Sequence, residues 1–205
     1  MGFRTDIKSS PPNSTSLFDF SFLGPFFGII SSLLFLVYGL QATISAGPEV
    51  VQFFPALTVA QLKMSTLGGG IVDYFLGGDG VITSQNPSSA ILMHPFAVGG
   101  FVGLLIQSLE MLPLGSTDGG RISQALFGRS NHVLVGGWTW FALLLSTIFL
   151  DSGTDYIVGA WIINNVAQND MEVPCREEVS RVDILRGFAA VSLWMVAILA
   201  LVPMQ

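Results

Sequence analysis

Apolar residues in this chain come in long unbroken blocks and not in short alternating runs. Phe20 to Ala42 is free of charge, over more than the ~20 residues a helix needs to cross hydrocarbon at ~1.5 Å per residue. Pro95 to Leu114 carries one charge, Glu110, while Val133 to Leu150 and Gly187 to Met204 carry none. Tyr156 to Ala167 is uncharged but short, a length that suits a re-entrant or interfacial helix as well as a span. The pattern predicts an all-α membrane protein, a polytopic bundle of about four to five transmembrane helices with one long polar loop. Its segments are a polar flank over 1–19, a transmembrane helix over 20–42, an extramembrane loop over 43–90 and a carboxy-terminal transmembrane region over 91–205. The helices of that last region are expected at about 92–114, 132–150, 154–167 and 184–204.

Composition sharpens the class. Of 205 residues 51% are hydrophobic and 11% charged, against roughly 25% charged in an ordinary soluble domain, and the mean hydropathy is +0.65. A formal charge of −6 without any basic tract excludes nucleic acid as a partner. The lone Cys175 rules out an internal disulfide framework. Arg4 and Lys8 are followed by a polar, proline-containing run, which is not a secretory signal. Asp6 stands where myristoylation wants Ser or Thr. Asn13-Ser14-Thr15 is a glycosylation sequon beside a basic flank assigned to the inner side, and is read as chance.

Positive charge sets the expected topology. If all five blocks cross, seven of the eight Lys and Arg lie on one side and Lys63 stands alone opposite; if the fourth does not, the split is four against four. The positive-inside tendency favours crossing, with a half-broken or tilted helix around Asp151 to Asp155. Within the loop, Val59 to Phe75 suits a short helix on the membrane surface or a buried loop segment. Gly68-Gly69-Gly70 and Gly77-Gly78-Asp79-Gly80 lack the Lys-Ser or Lys-Thr of a phosphate loop and are read as turns. Gly24 with Gly28, and Gly99 with Gly103, are small-xxx-small pairs expected at close helix contacts.

Chemistry concentrates in Glu110-Met111-Leu112-Pro113-Leu114-Gly115-Ser116-Thr117-Asp118-Gly119-Gly120-Arg121. Two acids, a proline and several glycines at the end of an apolar helix mark a place where ionisable groups are expensive and face a cavity or a partner. Irregular backbone at membrane depth survives only where protein or water satisfies it, and a carboxylate at such a break can reach a cation. Two plain readings stand beside this. Asp118 caps the next helix while Arg121 anchors at the headgroups, and a protonated Glu110 hydrogen-bonds a neighbouring helix.

This run resembles the second signature of site-2 proteases (peptidase family M50), N-x-x-P-x-x-x-x-D-G. His94-Pro95-Phe96 through Arg129, with Leu-Pro-Leu-Gly before Thr-Asp-Gly-Gly-Arg, resembles the chloroplast branch of ethylene-dependent gravitropism-deficient and yellow-green proteins, most nearly its member regarded as inactive. Phe18-Asp19-Phe20 with Gly24-Pro25 and Gly28 is similar to the family's segment after the catalytic helix, and Arg181-Val182-Asp183 to the lead into its final helix. The resemblance covers the carboxy-terminal part of the family's membrane core only. It makes Glu110, Pro113, Asp118 and Gly119 the family-motif positions, with Asp118 the equivalent of a zinc ligand, and it implies a plastid membrane, thylakoid or inner envelope.

Three departures limit what the resemblance implies. Active members carry H-E-x-x-H, whose two His bind zinc and whose Glu is the base; here only His94 and His132 occur. A straight helix would separate His94 from Asp118 by ~36 Å. Glu110 replaces the signature Asn, and Thr117 stands where Leu is usual. The expectation is therefore a metallopeptidase homologue that is proteolytically inactive by itself, with no complete catalytic set and no cofactor in this chain, zinc being the metal of active members. Its expected partners are the lipid bilayer and other membrane protein subunits, in a binding or chaperone-like role. The alternatives are a fragment of an active intramembrane zinc metalloprotease and a small ion or proton transporter using Glu110 and Asp118.

Overall fold

The computed structural model describes residues 7, 9–77, 82, 85–149, 173–177 and 182–204. In chain order the elements are α1 (Ser14–Ser45), α2 (Pro48–Val51), β1 (Ala56–Thr58), α3 (Val59–Leu62), α4 (Thr66–Leu76), β2 (Ala90–Leu92), α5 (Pro95–Glu110), α6 (Asp118–Phe149) and α7 (Ile184–Leu201). Among the described residues the regular structure is α-helical apart from the small pair β1–β2 and one isolated bridge between Asn13 and Glu177. Helices α1 and α7 have the length and apolarity of membrane spans, and α5 is a shorter apolar helix. The span expected at 154–167, the break at Asp151 to Asp155 and most of the second glycine cluster lie outside the described residues.

Both long helices bury one apolar face, with Leu17, Phe18, Leu36 and Leu40 on α1 and Leu193 and Ala200 on α7, and expose another. On α1 the large side chains Phe20, Leu23, Phe27, Ile30, Leu34 and Tyr38 are exposed, whereas Ser21, Ser32 and Thr43 are buried. On α7, Ile184, Leu185, Phe188, Val191, Met195 and Ile198 are likewise exposed. Exposed apolar faces of this kind are unusual on a protein in water and are at home in hydrocarbon.

The residues cluster into two compact units. The first is Met1–Phe26, Leu109–Asp151 and Asp155–Met195, and the second is Phe27–Ser108, Ser152–Thr154 and Val196–Gln205. In the second unit α1 and α5 approach closely. A Cβ on Gly39 would collide with the Ala97 backbone, and one on Gly100 would meet the Leu36 amide and, at 2.6 Å, the Ser32 carbonyl. Gly103 lies against the Ser32 hydroxyl and Gly28 against the Gln107 side chain. The contact stripe on α5 is thus 97, 100, 103 and 107, successive steps of three and four residues along one helical face. Gly99 falls about 100° round the helix from Gly100 and faces open space, so Gly100 fills the role expected of it.

The loop over 43–90 is an ordered subdomain of the second unit. β1 and β2 pair antiparallel with Leu57 opposite Ile91, bringing the start of α5 back beside the end of α1. Val59 to Phe75 is two helices instead of one surface helix. Thr58 and Gln61 form a capping box that starts α3, and the Ser65 hydroxyl accepts from the Gly68 amide to start α4. Each cap satisfies amides that would otherwise lack partners. Val59, Leu62 and Val72 are fully buried with Leu36, Leu40, Met93, Ala97 and Phe101 in one apolar core. Burying a side chain of this kind contributes roughly 1.5–3 kcal/mol.

Candidate functional site

The segment between α5 and α6 is a tight turn in the first unit. Helix α5 ends at Glu110 and not at Leu114, because Pro113 and Gly115, the latter at φ 51°, are unsuited to continuing it. The next helix is started by Thr117, not by Asp118. The Thr117 hydroxyl accepts from the Gly120 amide at 3.0 Å and faces the Leu112 and Leu114 carbonyls, each at 2.8 Å. One side chain thereby ties the turn to the new helix, which accounts for Thr at the position where the related signature carries Leu.

Asp118 is the first helical residue of α6, where a carboxylate interacts favourably with the amino-terminal dipole. Its Oδ1 accepts from Arg121 Nη1 at 3.3 Å, with side-chain exposures of 27% for Asp118 and 1% for Arg121. Its Oδ2 lies 3.7 Å from where a Cβ on Gly24 of α1 would be. Arg121 is therefore an interior residue and not a headgroup anchor. The two glycines after the acid are required sterically. A Cβ on Gly119 would run into the Met111 carbonyl, and one on Gly120 into the carbonyls of Leu114 and Gly115. The Met111 carbonyl is further claimed by the Trp194 indole N–H at 2.8 Å, and the Trp194 ring stacks on Phe127. Glu110 is within electrostatic reach of both Asp118 and Arg121, so the turn brings together what an extended helix would hold ~12 Å apart.

Helix α6 is broken at Gly128, whose φ of 78° and ψ of 167° are not helical. The second arm returns to the turn. His132 is buried and hydrogen-bonds the Gly115 backbone, and Gly136 lies against the Pro113 carbonyl. The Nδ1 of His132 has no hydrogen-bond partner. The block expected as a span from Val133 lies on the second arm, which runs to Phe149 and is set apart from the first arm by the break at Gly128. His94 does a structural job in the second unit, where its backbone amide donates to the Thr43 hydroxyl and its Nδ1 accepts from the Phe96 amide, at the start of α5.

Two contacts escaped the sequence reading. Asp19 of α1 accepts both Nε and Nη2 of Arg186 on α7, at 2.8 and 3.1 Å. Beside them the Arg176 and Glu177 amides donate to the carbonyls of Pro11 and Pro12. The available signal was one acid near the start of the first span and one base near the start of the last. Asn13 proves to be the cap of α1, its Oδ1 accepting from the Ser16 amide at 2.8 Å.

The donor set does not suit zinc. Such a site takes about three protein ligands, and among the described residues no three His, Cys, Asp or Glu side chains come together. Glu110, Asp118 and His132 are no exception.

Against known proteins, the chain is similar to proteins named as probable zinc metalloproteases. It is 28% identical over 204 residues to the probable zinc metalloprotease EGY1, chloroplastic, of Oryza sativa subsp. japonica, covering 99% of this chain and 33% of that protein. To the probable zinc metallopeptidase EGY3, chloroplastic, of Arabidopsis thaliana it is 25% identical, covering 99% of this chain and 35% of that protein. A relative of another kind is the DDT domain-containing protein PTM of Arabidopsis thaliana, 29% identical over 149 residues that make up 72% of this chain and 8% of that protein. The likeness to the EGY proteins thus runs over practically the whole chain, at identities that do not single out one member, and the chain spans about a third of their length. Zinc is the metal of the active family members. No protein-family model matches the chain, and no solved structure does.

Proposed function

We propose that this chain is the carboxy-terminal membrane part of a site-2 protease-like homologue that has no peptidase activity by itself and serves as a binding or chaperone-like subunit in a plastid membrane. The observation that carries the reading is the state of Asp118. The one residue matched to a family ligand is engaged by a buried arginine, and its neighbours Thr117, Gly119 and Gly120 are all used to shape the turn. A peptidase needs a metal-bound water and a base within reach of it, and Glu110 and Asp118 stand beside a guanidinium instead. The plastid setting follows from the relatives named chloroplastic. The count of four to five spans, with the fourth at 154–167, belongs to the same reading.

The test is metal analysis and cleavage of a membrane-spanning peptide by the purified chain in detergent. No tightly bound zinc and no cleavage is expected, together with stable copurification of membrane partners from plastids. One zinc per chain, lost in Asp118→Asn, overturns the reading in favour of a fragment of an active metalloprotease. The chain's span of about a third of its relatives is what keeps that second reading open, and H-E-x-x-H upstream in the same reading frame would support it.

A further inference from the structure

We propose that a groove in the second unit, walled by α1, α4 and α7, holds one acyl chain of a membrane lipid. The inference rests on reading α1 and α7 as membrane spans. The groove is open, offers about 380 Å³ and is lined by Val37, Leu67, Gly70, Ile71, Phe75 and Leu199. That volume falls within the ~300–1,000 Å³ of small-molecule pockets. Its walls are almost wholly carbon: of the two hydroxyls among the lining residues, that of Thr66 is donated to the Val202 carbonyl at 2.7 Å, and that of Tyr74 belongs to a ring at the exposed rim. Water needs two to four polar partners to settle in such a place, and the side chains of Val37, Leu67, Ile71, Phe75 and Leu199 offer none. Gly70 keeps it open, for a Cβ there would meet nothing within 4 Å.

Position identifies the occupant. The groove continues directly into the exposed apolar faces of α1 and α7, where Leu34, Tyr38 and Ile198 lie, so the substance next to its mouth in a bilayer is hydrocarbon. Leu199 sits near the end of α7, beside the hydrogen bonds that join Thr66 and Lys63 to Val202 and Met204. Tyr74, 78% exposed, stands at the rim, and an amphipathic ring of this kind favours the headgroup level. A chain entering from there places its headgroup beside Tyr74 and its tail along Leu67 and Ile71.

The experiment is native mass spectrometry of the full chain taken from phosphatidylcholine vesicles into mild detergent, for the wild type, Gly70→Phe and the control Gly137→Phe, whose Cβ also meets nothing. One retained lipid per chain is expected in the wild type and the control, with a fall of about tenfold in the lipid-bound fraction for Gly70→Phe. A wild type without retained lipid, or Gly70→Phe retaining as much as the wild type, overturns the proposal. So does a dimer that Gly70→Phe dissociates, since the groove would then hold a second copy. Alkaline extraction of the vesicles separates the two layers of the argument: release of the chain refutes the membrane reading itself, whereas a chain that stays embedded but binds no lipid refutes the groove alone.

Discussion

Replacing Asp118 by asparagine removes one charge and little else, which makes it the most informative change at the turn. Its partner Arg121 is 1% exposed and Asp118 is 27% exposed. Breaking a fully buried ion pair costs ~3–5 kcal/mol, because the surviving charge is left without compensation. Three features lower that figure here. Asparagine keeps an oxygen where Oδ1 accepts; the bond of 3.3 Å is long beside the ~2.7–2.9 Å of a charge-assisted one; and Arg121 has further interactions. The expected loss is therefore about 1–2 kcal/mol, near the low end for hydrogen bonds to charged groups. In a chain of this size that lowers the melting temperature by roughly 2–8 °C. Thermal unfolding in detergent, followed by tryptophan fluorescence, gives the number for Asp118→Asn, Arg121→Met and the double variant. An unchanged melting temperature in Asp118→Asn, with no coupling in the double-variant cycle, would refute the argument.

Further outcomes follow from the same contacts. Gly119→Ala forces a methyl into the Met111 carbonyl and should cost at least about 1–3 kcal/mol; normal expression and melting would count against the turn as described. Thr117→Val loses the cap and should destabilise by about 1–2 kcal/mol while Thr117→Ser stays near wild type, a contrast that urea-accelerated unfolding can read. Gly100→Leu should disrupt the α1–α5 contact and Gly99→Leu should not, so equal melting of the two variants would refute the helical phase. For topology, the amino terminus, the segment 121–131 and the segment 171–186 are expected on the inner or stromal face, with 43–90 opposite. Because Arg121 is buried, cysteine labelling belongs at exposed Asn131 and at residue 63, and labelling of both from one side would sink the topology.

The long helices were legible because an uncharged block of span length has few other fates in water. The turn was legible as a place, since proline, glycine and two acids interrupt one such block, but its workings were not. Whether Thr117 or Asp118 capped α6 depended on which side chain reached the Gly120 amide, and both are good caps. Arg121 read as an anchor because arginine at a helix end usually snorkels; only the fold around it makes it an interior residue. Gly99 and Gly100 differ by one position, and nothing local says which faces the neighbouring helix. Val59 to Phe75 was apolar enough to lie on a membrane, yet the caps at Thr58 and Ser65 divide it and turn its apolar side to a protein core.

The pairing of Asp19 with Arg186 has a consequence in time. The partners lie 167 residues apart, and at about 5–20 residues per second synthesis exposes the acid for roughly ten to thirty seconds before the base exists. Throughout that interval the first helix waits with an unmatched carboxylate near its entry point, alongside the Pro11 and Pro12 carbonyls that Arg176 and Glu177 will later engage. Closure of the chain by its last helix is thus a late, single event. A ribosome stalled before residue 176 would leave the first helix without its counter-charge, a mark by which quality control could tell the unfinished chain from the finished one.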